Sequence, residues 1–229
     1  MSEIELGLSR VRARIEAAAR RVGRDPASVL LLAVGKKKPA SAIAEAYAAG
    51  QRHFGENYAQ ELVEKHAALA HLDGVVWHFI GQLQSNKARV VAPLATLVHA
   101  VDGERLAIEL GKRALARERS LGPLRVLVEV NVGGEASKGG VAPDDLGALL
   151  ARIERIPGLR LEGLMSIPPP SETPEGARPY HRRLRELRDA HGGAGRLPTL
   201  SMGMTDDLEI AIEEGSTLVR VGTAIFGAR

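Results

Sequence analysis

Short apolar, β-branched runs alternate with longer stretches of helical periodicity along most of the chain. Eight runs predict strands. They are SVLLLAV (28–34), RHFGE (52–56), VVWHFIG (75–81), LVHAVD (97–102), RVLVEVNV (125–132), RLEGLMSI (160–167), TLSMG (199–203) and TLVRVG (217–222). Strand–helix alternation is typical of a parallel sheet, and eight units predict a closed (β/α)8 TIM barrel of the α/β class, with an open doubly wound sheet as the alternative.

Residues 1–24 predict one more helix, ahead of the first strand. Its apolar positions recur at helical spacing, at Ile4, Leu8, Val11, Ile15 and Ala18. The Pro-rich segment 167–179 predicts a loop, and the glycines of GGAGR (192–196) predict a second flexible connection. Nothing in the composition marks a domain boundary, so we expect one domain over residues 1–229 with an extra N-terminal helix.

Composition and charge narrow the class of protein. The chain has 229 residues, 45% of them hydrophobic, which suits one barrel with a sizeable core. It has no cysteine, which excludes disulfides and cysteine metal sites. A formal charge of +3 and an aromatic content of 3% make nucleic acid a poor candidate ligand. Because membrane-span and signal-peptide features are absent from the sequence, we expect a cytoplasmic protein without membrane contact.

The first strand ends in AVGKKKP, which places Lys36 almost directly after an apolar run. Functional groups of a barrel gather at the carboxyl ends of its strands. A half-buried lysine there loses solvation, which lowers the pKa of its amine and favours attack on a carbonyl. The alternative is a solvated basic loop in which Lys36, Lys37 and Lys38 are ordinary lysines.

The end of the eighth strand predicts an anion site. VRVGTAIFG places Gly222 and Thr223 where a helix begins, and free backbone N–H groups at such a point suit a phosphate. Barrels often hold phosphate near their seventh and eighth strands, and Ser201 and Gly203 lie at the end of the seventh. The alternative is that Gly222 only permits a turn and Thr223 only caps a helix.

Arg220 lies two residues before Gly222, so the two residues share a face of the strand. A buried arginine is rarely unpaired. We expect it either to neutralise a ligand or to pair with an acid such as Glu129 or Glu162. Facing a pyridine nitrogen, it would keep that nitrogen unprotonated, because arginine retains its own proton.

His53, His78 and His99 lie in or beside the second, third and fourth strands. No pair has the spacing of helical metal ligands and no cysteine accompanies them, so we expect structural histidines and no metal site. Asn57 follows HFGE at a strand-to-helix junction, where it could serve simply as an N-cap.

Eight motifs together resemble one known family. They are AVGKKKP, HFGENYAQE, WHFIGQLQSNK, VDG, VNVGGEASKGG, LEGLMSIPP, LSMGMTDD and GSTLVRVGTAIFG. Their order and spacing, from about residue 28 to the C-terminus, are similar to those of the YggS/PROSC family of pyridoxal 5'-phosphate homeostasis proteins. The resemblance implies a fold like the N-terminal barrel of alanine racemase.

The resemblance also implies roles for single residues. Lys36 would carry pyridoxal 5'-phosphate as an internal aldimine, and Arg220 would meet the pyridine nitrogen. Ser201, Gly222 and Thr223 would hold the phosphate. Other positions that match pocket residues of the family are Asn57, Met165 and Ser166, with Met202 a weaker candidate.

One departure from the family motif concerns the neighbours of Lys36. The family usually has serine-lysine-threonine-lysine-proline where this chain has Gly35-Lys36-Lys37-Lys38-Pro39. Any role of the two hydroxyls in the pocket is therefore open. Lys38 also matches a family lysine and is the alternative cofactor lysine.

Two functions of different classes compete. A carrier or buffer of pyridoxal phosphate, acting in homeostasis of the cofactor and of amino and keto acids, needs a lysine, a phosphate site and access. An amino-acid racemase also needs a second acid/base group opposite the lysine. In alanine racemase a tyrosine from an additional domain of the partner subunit serves there. The chain ends at Arg229, and its tyrosines are Tyr47, Tyr58 and Tyr180.

We therefore expect a non-catalytic protein, with a weak racemase as the alternative. A Schiff-base aldolase would use the same lysine and phosphate site, but the lysine's place on the first strand disfavours it. Without the additional domain a racemase-like dimer lacks its main contacts, so we expect a monomer. The expected partners are pyridoxal phosphate and apo-enzymes that use it.

Overall fold

The computed structural model describes residues 1–117, 122–135 and 139–228, so the tip of the predicted VNVGGEASKGG motif lies outside them. The strands are β1 (Leu30–Val34), β2 (His53–Glu56), β3 (Val76–Phe79), β4 (Leu97–Val101), β5 (Leu124–Glu129), β6 (Leu159–Met165), β7 (Thr199–Ser201) and β8 (Leu218–Val221). The helices are α1 (Glu3–Arg21), α2 (Ala40–Ala48), α3 (Ala59–Ala68), α4 (Ala88–Val91), α5 (Glu104–Leu115), α6 (Leu146–Ile153), α7 (Arg178–Ala190), α8 (Gly193–Arg196), α9 (Leu208–Glu213) and α10 (Thr223–Phe226).

All eight predicted strands are present, and they close into a barrel in sequence order, with β8 paired to β1. Neighbouring strands are parallel, and helices connect them. This arrangement confirms the (β/α)8 prediction. All strands therefore end at the same side of the barrel, which we call the carboxyl rim. None of the helices in the described part of the chain is long and apolar enough to span a bilayer.

Side chains alternate between the barrel interior and the layer under the helices. The interior is filled by a small aliphatic cluster: Leu32, Val34, Ile80, Leu97, Ala100, Leu127, Met165 and Leu218. A larger apolar cluster lies between strands and helices and contains most of the remaining buried aliphatic side chains. The barrel is therefore a packed core, and ligand access is confined to its rims.

The predicted N-terminal helix is present as α1. Ser2 and Glu5 form a capping box that satisfies backbone N–H groups at its start. The helix packs against α9 and α10, and Arg14 Nε lies 2.6 Å from Glu209 Oε1. Its buried face contains the predicted positions Leu8, Val11, Ile15 and Ala18.

Two expectations are wrong. The GGAGR segment is not an irregular connection, because Gly193–Arg196 forms the short helix α8, where Arg196 Nε is held 2.7 Å from Glu154 Oε1. Glu162 does not pair with Arg220. It forms ion pairs with Arg125 and Arg160 instead.

Candidate functional site

A tight turn at the carboxyl rim carries Lys36. β1 ends at Val34, and the N–H of Lys38 donates to the Gly35 carbonyl at 3.0 Å, which closes the turn. Lys36 is half-buried and lines a cavity. Lys38 points elsewhere, since its Nζ donates to the Ala228 carbonyl at 2.8 Å. The neighbouring lysines are therefore not equivalent.

Lys65, a buried residue of α3, stabilises this turn by hydrogen bonds. Its Nζ lies 2.7 Å from the Gly35 carbonyl and 2.8 Å from a carboxylate oxygen of Glu56. It also lies 2.8 Å from Glu61, whose carboxylate accepts the backbone N–H of Lys37 at 2.7 Å. Sequence reasoning missed this cluster. The available signal was a lysine on the apolar face of a helix, with a glutamate four residues before it.

The two departures from the family motif have local consequences. A Cβ at Gly35 would lie 2.5 Å from Cδ1 of Ile43 and 2.7 Å from Oε1 of Glu56, so this glycine lets both side chains close against the turn. Lys37 has a φ of 60°, which an unbranched lysine tolerates better than a β-branched threonine. Serine at position 35 would require Ile43 or Glu56 to move.

A cavity of about 220 Å³ opens beside Lys36 at the carboxyl rim. It brings together five residues predicted for the site: Lys36, Asn57, Arg220, Gly222 and Thr223. The other lining residues are Val34, Ile80, Ile167, Met204, Thr205 and Asp206. The position of Asn57 depends on Gly81, where a Cβ would lie 2.2 Å from the Asn57 carbonyl oxygen.

Backbone donors meet this cavity at the start of α10. The N–H groups of Gly222, Thr223 and Ala224 form no hydrogen bond with another described backbone group. Two of these residues, Gly222 and Thr223, line the cavity. Unused N–H groups of this kind can donate hydrogen bonds to an anionic group of a bound molecule.

Arg220 reaches the same cavity from the barrel interior and is 4% exposed. Its Nη1 donates to the carbonyl and the hydroxyl of Ser201 at 2.6 and 2.8 Å, and its Nη2 donates to the Ser166 carbonyl at 2.9 Å. Among the described residues no carboxylate forms an ion pair with it, so the expected pair with Glu129 is not formed. Burial lowers the pKa of Arg220 to about 10, so the guanidinium remains charged at neutral pH.

Three further predicted residues lie below the cavity rather than on its wall. Ser201 is fully buried, and its hydroxyl lies between Arg220 and His99. Met165 belongs to the interior apolar cluster. Ser166 is buried, and its Oγ has no hydrogen-bond partner within the described part of the chain. Direct contact of these residues with a ligand stays a prediction, and the position of Ser201 favours a role through Arg220.

A row of histidines continues from Ser201 through the barrel interior. His99 Nδ1 lies 2.9 Å from Ser201 Oγ, and His99 Nε2 lies 2.9 Å from His78 Nδ1. His78 Nε2 lies 3.1 Å from Nδ1 of the half-buried His53. Burial first, and nearby positive charge second, lower the pKa of all three rings, so they are neutral at pH 7. Sequence reasoning missed the connection between these rings and Arg220.

Ser201 fixes the direction of the hydrogen bonds in the row. Its oxygen accepts from Arg220, so its proton is available to Nδ1 of His99. A neutral ring has a single N–H, so His99 donates from Nε2 to His78, and His78 donates from Nε2 to His53. We infer that all three rings are Nε2–H tautomers and that every bond in the row runs away from Arg220.

A second cavity, of about 290 Å³, adjoins the first. It shares three lining residues with the Lys36 cavity: Asn57, Ile80 and Ile167. Glu129, at the end of β5, lines it, is 5% exposed, and has an Oε2 atom without a described hydrogen-bond partner. Burial is the main cause that raises the pKa of Glu129 to about 7. The nearby Asp102 carboxylate acts in the same direction, and the positive charge of Arg220 acts against it. Sequence reasoning considered Glu129 only as a partner of Arg220.

Comparison with known proteins places this geometry in context. Residues 6–229 match the family described as "Alanine racemase, N-terminal domain". The chain is 53% identical over 230 residues to the pyridoxal phosphate homeostasis protein of Pseudomonas aeruginosa, with 100% of this chain and 97% of the relative covered. It is 48% identical to the protein of the same name from Escherichia coli, with 100% and 98% covered.

Solved structures are also similar. PipY of Synechococcus elongatus, solved with pyridoxal phosphate bound, superposes with a TM-score of 0.79 at 38% identity and covers 95% of this chain and 100% of its own. A Bifidobacterium adolescentis protein superposes with a TM-score of 0.89 at 40% identity, covering 98% and 94%. Alanine racemase of Streptomyces coelicolor shares the fold, with a TM-score of 0.67 at 21% identity over 97% of this chain and 59% of its own.

Proposed function

The chain belongs to the alanine racemase N-terminal domain family and, within it, to the pyridoxal phosphate homeostasis proteins, and on that basis we propose that it binds pyridoxal 5'-phosphate in the Lys36 cavity. The bond is a Schiff base on Lys36. The protein carries or buffers the cofactor in the cytoplasm and so supports homeostasis of the cofactor and of amino and keto acids. It acts as a monomer and supplies apo-enzymes that use the cofactor.

One observation carries the proposal: a single cavity joins a half-buried lysine, a buried arginine, and backbone N–H groups at the start of α10. Within the described residues the arginine has no carboxylate partner and the N–H groups have no backbone partner. The cofactor has an aldehyde, a pyridine ring and a phosphate. Lysine is the side chain that forms Schiff bases with carbonyls, and helix-start N–H groups suit phosphate. PipY of Synechococcus, a relative solved with pyridoxal phosphate bound, supports binding of this cofactor.

Different residues of this chain would contact different parts of the cofactor. Gly222 and Thr223 offer N–H donors to the phosphate, and Asn57 closes the side of the cavity toward β2. Arg220 faces the ring nitrogen and, being charged, leaves that nitrogen without a proton. When bound, the cofactor supplies a carbonyl that amines attack and an electron sink. An unprotonated ring is the weaker sink, which suits binding more than turnover.

Alanine racemase uses a tyrosine opposite its lysine, and the lack of a tyrosine in the described lining of the Lys36 cavity supports a carrier over a racemase of that kind. Tyr58 is 48% exposed, and Tyr47 donates its hydroxyl to the Asp73 carbonyl at 2.8 Å. Tyr180 lies on α7. None of these described tyrosines lines the Lys36 cavity.

An absorbance spectrum tests the Schiff base. We expect a visible aldimine band in the purified protein with pyridoxal phosphate, fixed on Lys36 by borohydride reduction and located by peptide mass mapping. Lys36→Ala should lose the band, and Lys38→Ala is the matched control that should retain it. A full band in Lys36→Ala, or a label on Lys38, would overturn the assignment.

Two assays test carriage against catalysis. The protein with bound cofactor is incubated with L-alanine, and both enantiomers are measured; racemisation at about 1 per second or faster would contradict a carrier. Cofactor transfer to an apo-enzyme is then followed with a trap for free pyridoxal phosphate in solution. Transfer that resists the trap supports direct delivery, and transfer abolished by it leaves buffering alone.

A further inference from the structure

The second cavity contains two buried oxygen atoms that lack hydrogen-bond donors. Glu129 Oε2 and Asn57 Oδ1 are both buried without a hydrogen-bond partner in the described structure, and both residues line this cavity. The great majority of buried polar atoms in proteins have a hydrogen-bond partner. The two acceptors belong to residues that line the same small cavity, so a molecule bound there is in a position to supply the missing donors.

Charge defines the kind of donor. Glu129 is 5% exposed, and no described lysine or arginine forms an ion pair with it. By contrast Glu56, which is the last residue of β2 as Glu129 is of β5, has the Nζ of Lys65 at 2.8 Å from its carboxylate. An ammonium group is a compact cation with three N–H donors and no acceptor, so it complements a carboxylate and an amide oxygen in a small space.

We propose that the cavity lined by Glu129, Asn57, Gln82 and Asn131 is a binding site for the primary ammonium group of a small molecule. The carboxylate of Glu129 neutralises the ammonium, and the amide oxygen of Asn57 accepts a second hydrogen bond. A volume of about 290 Å³ limits the ligand to a small amine such as a free amino acid or a short alkylamine.

The location gives this site a purpose. Its wall of Asn57, Ile80 and Ile167 is shared with the Lys36 cavity, so a bound amine lies next to Lys36. If the proposed function holds, the bound ammonium can pass its proton to the Glu129 carboxylate, and the resulting amine can then displace the Lys36 amine from the cofactor's carbonyl carbon. This role rests on the proposed function, whereas ammonium binding itself does not.

The test uses the full chain freed of pyridoxal phosphate, so that it succeeds or fails independently of the Schiff base. Propylammonium, L-alanine, propionate and 1-propanol are titrated by calorimetry. We expect propylammonium to bind, and Glu129→Gln to weaken it at least tenfold. Propionate and propanol should not bind. Binding of L-alanine with propylammonium identifies amino acids as acceptable sources, and binding of propylammonium alone restricts the site to simple amines.

A second readout needs no variant of the site. With carboxyl-¹³C glutamate, saturating propylammonium should lower the pKa of the Glu129 carboxyl by about one unit if the ionised form binds tenfold more tightly. Glu172→Gln removes a carboxylate near the same rim but outside this cavity and is the matched control. Equal propylammonium affinity in Glu129→Gln, equal binding of propionate, or an unmoved Glu129 resonance would overturn the proposal.

Discussion

Glu56 and Glu129 both end a strand but face opposite sides of the barrel wall: Glu56 points to the helix layer and meets Lys65 of α3, whereas Glu129 points to the interior. Each is the last residue of a strand at the carboxyl rim, and each is at most 5% exposed. Burial raises the pKa of both carboxyls. Glu56 has the cation of Lys65 within 2.8 Å, and Glu129 has no such partner among the described residues. Glu56 therefore belongs to a hydrogen-bonded cluster with its own cation, whereas Glu129 lies where we propose that a ligand supplies the cation.

The largest expected effect comes from making Glu56 resemble Glu129. Lys65→Met leaves Glu56 buried without a cation, and loss of one partner of a buried pair costs about 3–5 kcal/mol. Urea denaturation near neutral pH should show this loss in the free energy of unfolding. Adding Glu56→Gln to Lys65→Met should recover part of it. A loss in Lys65→Met below about 1 kcal/mol would mean that Glu56 does not depend on its cation.

The second prediction tests the cost of the unpartnered carboxylate. The pKa of Glu129 is raised from 4.5 to about 7, so the folded state prefers the protonated form. The contribution of Glu129 to stability is therefore greatest below pH 4.5 and falls as pH rises from 4.5 through 7. Glu129→Gln should be more stable at about pH 8, by up to roughly 3 kcal/mol, and nearly equal to wild type near pH 4. Equal stability at both pH values would contradict a strained carboxylate.

A third experiment gives Glu129 a cation. Gln82 lines the same cavity, and Gln82→Lys places an ammonium group within its reach. An adjacent opposite charge should lower the pKa of the Glu129 carboxyl by about 1–3 units, measured by ¹³C NMR. The same variant should bind propylammonium more weakly, because the lysine competes for the carboxylate. Gln84→Lys, which adds the same charge two residues later, is the control.

The smallest effect is expected where an ion pair is exposed. Glu16 and Arg20 pair on α1 with 51% and 71% of their side chains exposed. Glu16→Gln should change the free energy of unfolding by less than about 0.5 kcal/mol, because water screens such pairs. A large effect there would show that burial is not what separates Glu56 and Glu129 from other acids.

The fold was accessible from the sequence because strands of a parallel barrel are continuous apolar runs. The exact ends of the strands were harder to predict. The run 75–81 forms a strand only over Val76–Phe79, because the flanking residues belong to the connections at the rims. Lys36, Gly222 and Thr223 could also be placed, because a strand end and the following helix fix them locally. For Asn57 and Arg220 the motif resemblance added roles toward the cofactor, and the cavity joins all five residues.

The long-range contacts were not accessible in the same way. The hydrogen bond between His99 and Ser201 joins residues 102 positions apart, and only barrel closure makes them neighbours. Likewise, both Glu129 and Glu162 were candidates for Arg220. In the described structure neither forms an ion pair with Arg220: Glu129 points to the carboxyl-rim interior without one, and Glu162 meets Arg125 and Arg160. Ser201 was predicted as a phosphate ligand, which stays a prediction, and the contact of its buried hydroxyl with Arg220 was not foreseen.

The histidine row stabilises the buried positive charge of Arg220 in the way that water would solvate it. Water stabilises a cation by turning its oxygen atoms toward it, and Ser201 and the three rings do the same with dipoles whose negative ends face Arg220. These dipoles are fixed before any ligand arrives, so they need not reorganise on binding. Such stabilisation is spread over four side chains and introduces no opposite charge beside the guanidinium. The positive charge of Arg220 therefore remains effective at the cavity, where a carboxylate partner would have cancelled it.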